Sequence, residues 1–186
     1  RFEPQSESED MIFADETVGG CVPKNFIPSV EKGLRNCIGK GVLAGYPVVF
    51  LKSTLYFGSY HPVDSSDMAF QTAAGIAYKE GLPTAGPTLL EPIGELKVFI
   101  PDANMGDIIG DLNKRRGRVM GMTPTADGEQ IIEAEVPMAE MTSYAIDLRA
   151  MTQSRGSFVF HFVRYEDCPP AAQAKAIEAA KAMAEE

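Results

Sequence analysis

Histidine and cysteine are scarce in this chain: 186 residues hold two of the first and three of the second. The cysteines, Cys21, Cys37 and Cys168, are odd in number and widely spaced, with no C-x-x-C. That argues against a disulfide scaffold or a structural zinc site and fits reduced thiols in a cytosolic protein. Two distant histidines assemble no metal constellation, so no metal ligand is assigned. No apolar run approaches the ~18–20 residues of a membrane span. No signal peptide is visible, because the first ten residues include Glu3, Glu7, Glu9 and Asp10. The phosphate loop G-x-x-x-x-G-K-[ST] does not occur; Gly39-Lys40-Gly41, the nearest string, lacks the upstream spacing and the hydroxyl residue. The chain opens on Arg1-Phe2-Glu3-Pro4, which reads as the end of a strand and suggests a piece of something longer.

Hydrophobic content of 45% and charged content of 23% are ordinary for a globular protein. The net charge is −9, against the basic footprint usual in nucleic-acid binders. One stretch departs from that background: Lys114-Arg115-Arg116-Gly117-Arg118 sets four cations in five residues. Such a run can contact phosphates. It can equally be the last turn of a helix, where each cation is worth ~0.3–1 kcal/mol against the helix dipole, with Gly117 as the residue that ends it.

The pattern predicts two blocks. In the first, a strand over 11–18 leads through Gly19-Gly20 to a helix with Pro28 in its first turn and Val30, Leu34, Cys37 and Ile38 on its inner face. A strand over 47–57 and a helix over 67–80 follow, with Ala69, Ala73, Ile76 and Ala77 on one side. The breaker cluster at 81–87 marks a boundary. The second block reads β-α-β-β-α-β, the split βαβ plan. Its strands cover 89–100, 118–123, 130–136 and 157–165, with an Asp-Gly hairpin turn at 126–129. Its helices cover 105–116, carrying Met105, Ile108, Ile109 and Leu112, and 138–152, carrying Met141, Tyr144, Ala145, Leu148 and Met151. The final strand alternates Phe158, Phe160 and Phe162 and holds His161, to which no role is given. An Ala-rich helical tail covers 169–186.

GSYHPVDSSD (58–67) places His61, Asp64, Ser65 and Ser66 side by side. A hydrolytic triad draws its members from separate segments, and no G-x-S-x-G elbow is present. Asp64 and Ser65 have a better use as the cap of the following helix, with Asp67 in its first turn. Gly58, Ser59, Tyr60 and Pro62 then form a tight tip that presents Tyr60 and His61 outward, able to stack on bases or bond to a backbone.

The strings VGGCVPKNFIPSVEKG (18–33), GVLAGYPVV (41–49), GSYHPVDSSDMAF (58–70), LLEPIGELKV (89–98), GDIIGDLNKRRGRVMGM (106–122), EVPMAEM (135–141) and RGSFVFHFVRYEDCP (155–169) resemble the C-terminal part of bacterial translation elongation factor G, in that family's order and spacing. The resemblance implies an α+β chain. Residues 1–87 correspond to domain IV, like the second domain of ribosomal protein S5 with its left-handed βαβ crossover, and lack the N-terminal part. Residues 88–168 correspond to the ferredoxin-like domain V, and 169–186 to a C-terminal helix. It further implies a non-enzymatic, ribosome-contacting part of a translational GTPase of the cytoplasm, one that promotes movement of tRNA and mRNA. GTP and Mg would sit in a domain not present here. The partners would be ribosomal RNA and the tRNA–mRNA pair at the decoding site, with neither membrane nor DNA. Gly58, Ser59, Tyr60, His61, Pro62, Val63 and Asp64 match the RNA-contacting tip loop, and Lys114, Arg115, Arg116 and Arg118 become possible ribosomal RNA contacts. Pro62 departs from the family, which often has an acidic residue there; it removes an N–H and stiffens the loop. The acidic, Ser-rich stretch 5–10 is also unusual. Alternatives within the superfamily are a recycling or stress paralogue and a tetracycline-resistance ribosomal protection factor. Outside it stand a stand-alone enzyme using His61 and Asp64, and a protein-interaction module using the tail.

Overall fold

The computed structural model describes residues 1–184; Glu185 and Glu186, at the end of the expected tail, lie outside them. The chain divides into two compact units, each with its own core and sheet. The first comprises residues from Arg1 to Thr88 together with the C-terminal helix that begins at Pro170; the second spans Leu89–Pro169.

The first unit contains strands β1 (Phe2–Pro4) and β2 (Ile12–Asp15), helix α1 (Ile27–Cys37), strand β3 (Leu51–Leu55) and helix α2 (Asp67–Gly81). Its sheet order is β1-β3-β2, with β3 antiparallel to β1 and parallel to β2. The strands are shorter than their patterns predict, for local reasons. β2 stops where the Asp15 carboxylate accepts the Thr17 amide (3.0 Å) and hydroxyl (2.8 Å), an Asx turn that competes with the ladder. β3 starts late because Phe50 sits in the left-handed region at φ 56° and bonds the loop over 5–9 instead.

α1 buries Val30 and Leu34, as its stripe predicts, and half-buries Cys37. α2 turns a different face inward from the one its alanines suggest. Phe70, Ala74 and Tyr78 are buried, while Ala69, Ala73, Ile76 and Ala77 are exposed. Both sets have helical spacing, and the face with two aromatic rings removes far more apolar surface from water. The helices cross closely at Gly33, where a β-carbon would lie 2.6 Å from the Gln71 carbonyl oxygen and 2.8 Å from Gln71 Cα.

The second unit runs β4 (Leu90–Pro101), α3 (Met105–Lys114), β5 (Arg118–Pro124), β6 (Glu129–Pro137), α4 (Tyr144–Thr152) and β7 (Ser157–Asp167). The antiparallel sheet order β5-β6-β4-β7 is the ferredoxin-like one. Leu96, Val98, Ile100, Ile132, Ala134 and Val136 project from the sheet toward Ile108, Leu112, Tyr144 and Leu148. Two details differ from the sequence pattern. A 3-10 turn (Met138–Met141) replaces the first part of the predicted helix, and Ala145 faces outward. A register shift at Ile93/Gly94 breaks the β7 alternation, so Phe158 and Phe160 pack inward while Phe162 is exposed. The Phe160 ring lies over Gly94, where a β-carbon would come within 2.3 Å of it. Helix α5 (Pro170–Ala184) completes the described chain.

Gly33→Ala should destabilise the first unit by about 1–3 kcal/mol, because the clash is with backbone and overrides the better helix propensity of alanine. Urea unfolding of the chain checks this; an unchanged or raised midpoint would show that the helix crossing accommodates the methyl group.

Candidate nucleic-acid interface

After β3 the chain runs out through Tyr56 and Phe57, turns at 61–65 and enters α2. Each expected tip residue has a definite place. Gly58 packs inward, where a β-carbon would be 2.5 Å from Val22 Cγ2, and Ser59 is exposed. Tyr60 is exposed, and its ring leans on Phe26 at 5.9 Å, which in turn stacks on buried Phe70 at 4.7 Å. His61, Val63 and Asp64 stand largely in solvent, with the side chain of His61 74% and that of Asp64 81% exposed.

The tip closes on itself through Ser65. The Ser65 amide donates to the His61 carbonyl at 3.0 Å, and the His61 amide donates to Ser65 Oγ at 2.9 Å. Pro62 fills the second position of this five-residue turn, where its fixed φ suits the bend and no amide is needed. The helix cap is Ser66, whose Oγ accepts the Ala69 amide at 3.1 Å. This corrects the assignment of the cap to Asp64 and Ser65. Two adjacent serines are equivalent in the sequence, and the turn takes the first, leaving the second for the helix. Asp64 only faces its neighbour, with Oδ2 3.7 Å from His61 Nδ1, and no serine hydroxyl bonds the imidazole. The arrangement has no nucleophile–base contact. Asp67 Oδ1 accepts a 2.7 Å bond from buried Ser29 and so pins the start of α2 to α1.

In the second unit the basic cluster divides. Arg115 is largely buried against the fold: Nε donates to Asp111 at 2.7 Å, Nη1 to the Glu140 carbonyl at 2.6 Å, and Nη2 to Asp147. Its guanidinium also stands 5.1 Å from the Tyr144 ring centre. Arg116 makes a bidentate pair with Glu91 (2.9 and 2.8 Å) and reaches Glu140 at 3.1 Å. Arg118 pairs with Glu135. Lys114 is exposed in the last turn of α3. The residue in the left-handed conformation at the helix end is Arg116 (φ 60°), not Gly117. The Gly117 amide bonds the Leu112 carbonyl at 2.8 Å and the Arg116 amide that of Asn113 at 3.2 Å, a Schellman closure. Gly117 is required instead for closeness, since a β-carbon there would be 2.9 Å from the Leu112 carbonyl oxygen.

The outer sheet face carries a second charge lattice that the sequence pattern did not single out. Arg164 clamps Glu135 with bonds of 2.7 and 2.9 Å, and both Arg164 and Arg118 approach Glu166. Arg164 first, then Arg118, hold the Glu135 carboxyl down to about 2. His161 Nε2 meets Glu95 Oε2 at 3.1 Å on the same face. Among the described residues no group of three His, Cys, Asp or Glu is placed to hold a metal ion, and no helix is long and apolar enough to cross a membrane.

Comparison with known proteins finds two family models, the second of which runs past Pro169 into α5. The family model "Elongation factor G, domain IV" matches residues 1–86, and "Elongation factor G C-terminus" matches residues 88–176. An "Elongation factor G-like protein" of Thermotoga maritima is 49% identical over 178 residues, 96% of this chain and 26% of that protein. A crystal structure of a protein from Thermus thermophilus superposes with a TM-score of 0.84 at 39% identity, covering 97% of this chain and 27% of the other. The chain thus spans about a quarter of the length of these relatives.

The charge network supports two outcomes. Arg115→Ala strands Asp111 and the Glu140 carbonyl and should cost about 1–3 kcal/mol, whereas Lys114→Ala should stay within about 0.5 kcal/mol. Thermal unfolding decides; equal effects would remove Arg115 from the structural role. Glu135, with its folded pKa lowered from 4.5 to about 2, contributes stability that is present above pH 4.5 and drains away as pH falls toward 2. The stability gap between the native chain and Glu135→Gln should therefore shrink over that window in an acid titration, and a constant gap would contradict the clamp.

Proposed function

Because the chain belongs to the elongation factor G family of translation factors, we propose that it forms the ribosome-contacting C-terminal part of a translational GTPase that moves tRNA and mRNA during protein synthesis in the cytoplasm. The observation that carries this reading is the outward His61 on a turn closed at both backbone groups. With its amide and carbonyl occupied by Ser65, His61 offers a partner its imidazole alone. Such a closed turn, with an exposed imidazole beside the Tyr60 ring, can stack on bases or bond a base edge or a ribose hydroxyl without a basic surface. The acidic net charge of −9 is compatible with contact through this small tip. The chain contributes no bond-breaking chemistry in this reading. It lacks a phosphate-binding glycine loop, so GTP and Mg²⁺ would be held by another part of the parent.

The basic cluster carries less of this role than its sequence suggests. Arg115, Arg116 and Arg118 are committed to carboxylates of their own unit. Arg116 and Arg118 are nevertheless exposed, and Lys114, exposed and in no ion pair among the described residues, is the cation of the four best placed for a ribosomal RNA phosphate. A second reading, a paralogue acting in ribosome recycling or stress, is favoured by Pro62 and by the relative that is itself an elongation factor G-like protein.

In the full-length factor, His61→Ala should slow tRNA–mRNA translocation at least about tenfold, equivalent to ~1.4 kcal/mol at the barrier, and leave ribosome-stimulated GTP hydrolysis near its parent rate. Rapid-kinetics translocation and ribosome-splitting assays run side by side separate the readings. A selective loss of splitting points to the paralogue, and normal rates in both assays would remove the tip from function.

A further inference from the structure

We propose that Ser65 is the positioning residue of the tip: its hydroxyl and amide set the direction in which His61 faces its RNA partner. This rests on the reading of the tip as an RNA-contacting element and adds the device that orients it.

Three groups stand near enough to orient His61, and geometry selects among them. Asp64 lies 3.7 Å from the imidazole with both side chains mostly in water. A pair that long and exposed is screened and worth little. Tyr60 is held by Phe26, and that anchor fixes the base of the loop before His61 is reached. Ser65 alone binds His61 twice, once as donor and once as acceptor, at 3.0 and 2.9 Å. The two bonds fix the backbone on both sides of the His61 Cα, and so the vector along which its side chain leaves. Pro62 fixes the next φ, which leaves the turn few alternatives. Ser65 is itself held from behind, since Ser66 caps α2 and Asp67 is pinned by Ser29. Three successive residues, Ser65, Ser66 and Asp67, thus each hold a separate bond, to the His61 backbone, the first turn of α2 and α1 respectively.

Loss of the hydroxyl should leave the fold intact and blur the orientation of the imidazole. Ser65→Ala in the full-length factor should slow translocation about three- to tenfold, the range that loss of one hydrogen bond from the competent geometry allows. Ser65→Thr, which keeps the hydroxyl, should restore most of the rate. In the His61→Ala background, Ser65→Ala should add little, because no ring remains to be oriented. The thermal midpoint of Ser65→Ala should match that of the parent within a few degrees. If His61→Ala slows translocation while Ser65→Ala does not, or if the two effects multiply, the positioning role of Ser65 is wrong and the tip reading survives. If His61→Ala has no effect, the tip reading itself has failed. A large drop in midpoint that Thr does not reverse would make Ser65 a folding residue and overturn the proposal.

Discussion

Phe26 is the contact on which the presentation of the tip depends. It stacks on Phe70 in the core and supports Tyr60 at the start of the turn, so one ring joins the buried face of α2 to the outermost loop. Further along, α1 and α2 cross closely, and that closeness requires the absent side chain at Gly33. Loops exposed on a surface are ordinarily mobile. Here the loop begins on an aromatic ladder and ends on a capped helix, which confines its freedom to the few residues between.

Electrostatics in the second unit serve a different purpose from the one its sequence advertises. Four cations in five residues would make a phosphate-binding surface only if their charge faced solvent unpaired. Arg115 instead gathers a helix (α3), the turn before α4 and α4 itself around one guanidinium. Arg116 links the end of α3 to β4 and to the same turn. These bonds are geometric constraints more than sources of affinity. A planar guanidinium aims five donors in fixed directions and so ties three segments in one geometry, where the three donors of a lysine sit on a single rotating ammonium.

The sequence carried most of the architecture. The β-α-β-β-α-β order, the α1 stripe and the Asp-Gly turn are legible because periodicity and breakers report local backbone preference. What was not legible depended on partners distant in the chain. α2 offers two helical stripes, and the choice between them follows from Phe26 and the strands waiting on one side. Asp111 sits four residues before Arg115 and could be read as its partner. Glu91, Glu140 and Asp147 could not, because the fold alone brings them near. Ser65 and Ser66 are chemically identical, so only the turn decides which one caps the helix. His61 stands out in the sequence by its rarity, whereas the bond of Ser65 to its amide depends on a turn that no pattern announces.

A histidine, an aspartate and two serines within six residues invite a catalytic reading, and the way their bonds are spent answers it. Each serine oxygen accepts a backbone amide, that of His61 for Ser65 and that of Ala69 for Ser66. An oxygen already holding a backbone amide in place is poorly disposed to attack, and no base stands beside it to take its proton. The aspartate is in water, 3.7 Å from the ring, a distance and exposure at which it does little to orient it. What remains is an exposed ring on a turn whose backbone is closed on both sides of its Cα. That suits recognition, where a preorganised group binds without first losing its freedom. Pro62 fits this logic, since it lowers the entropy of the unbound loop and removes a donor that no bond in the turn requires.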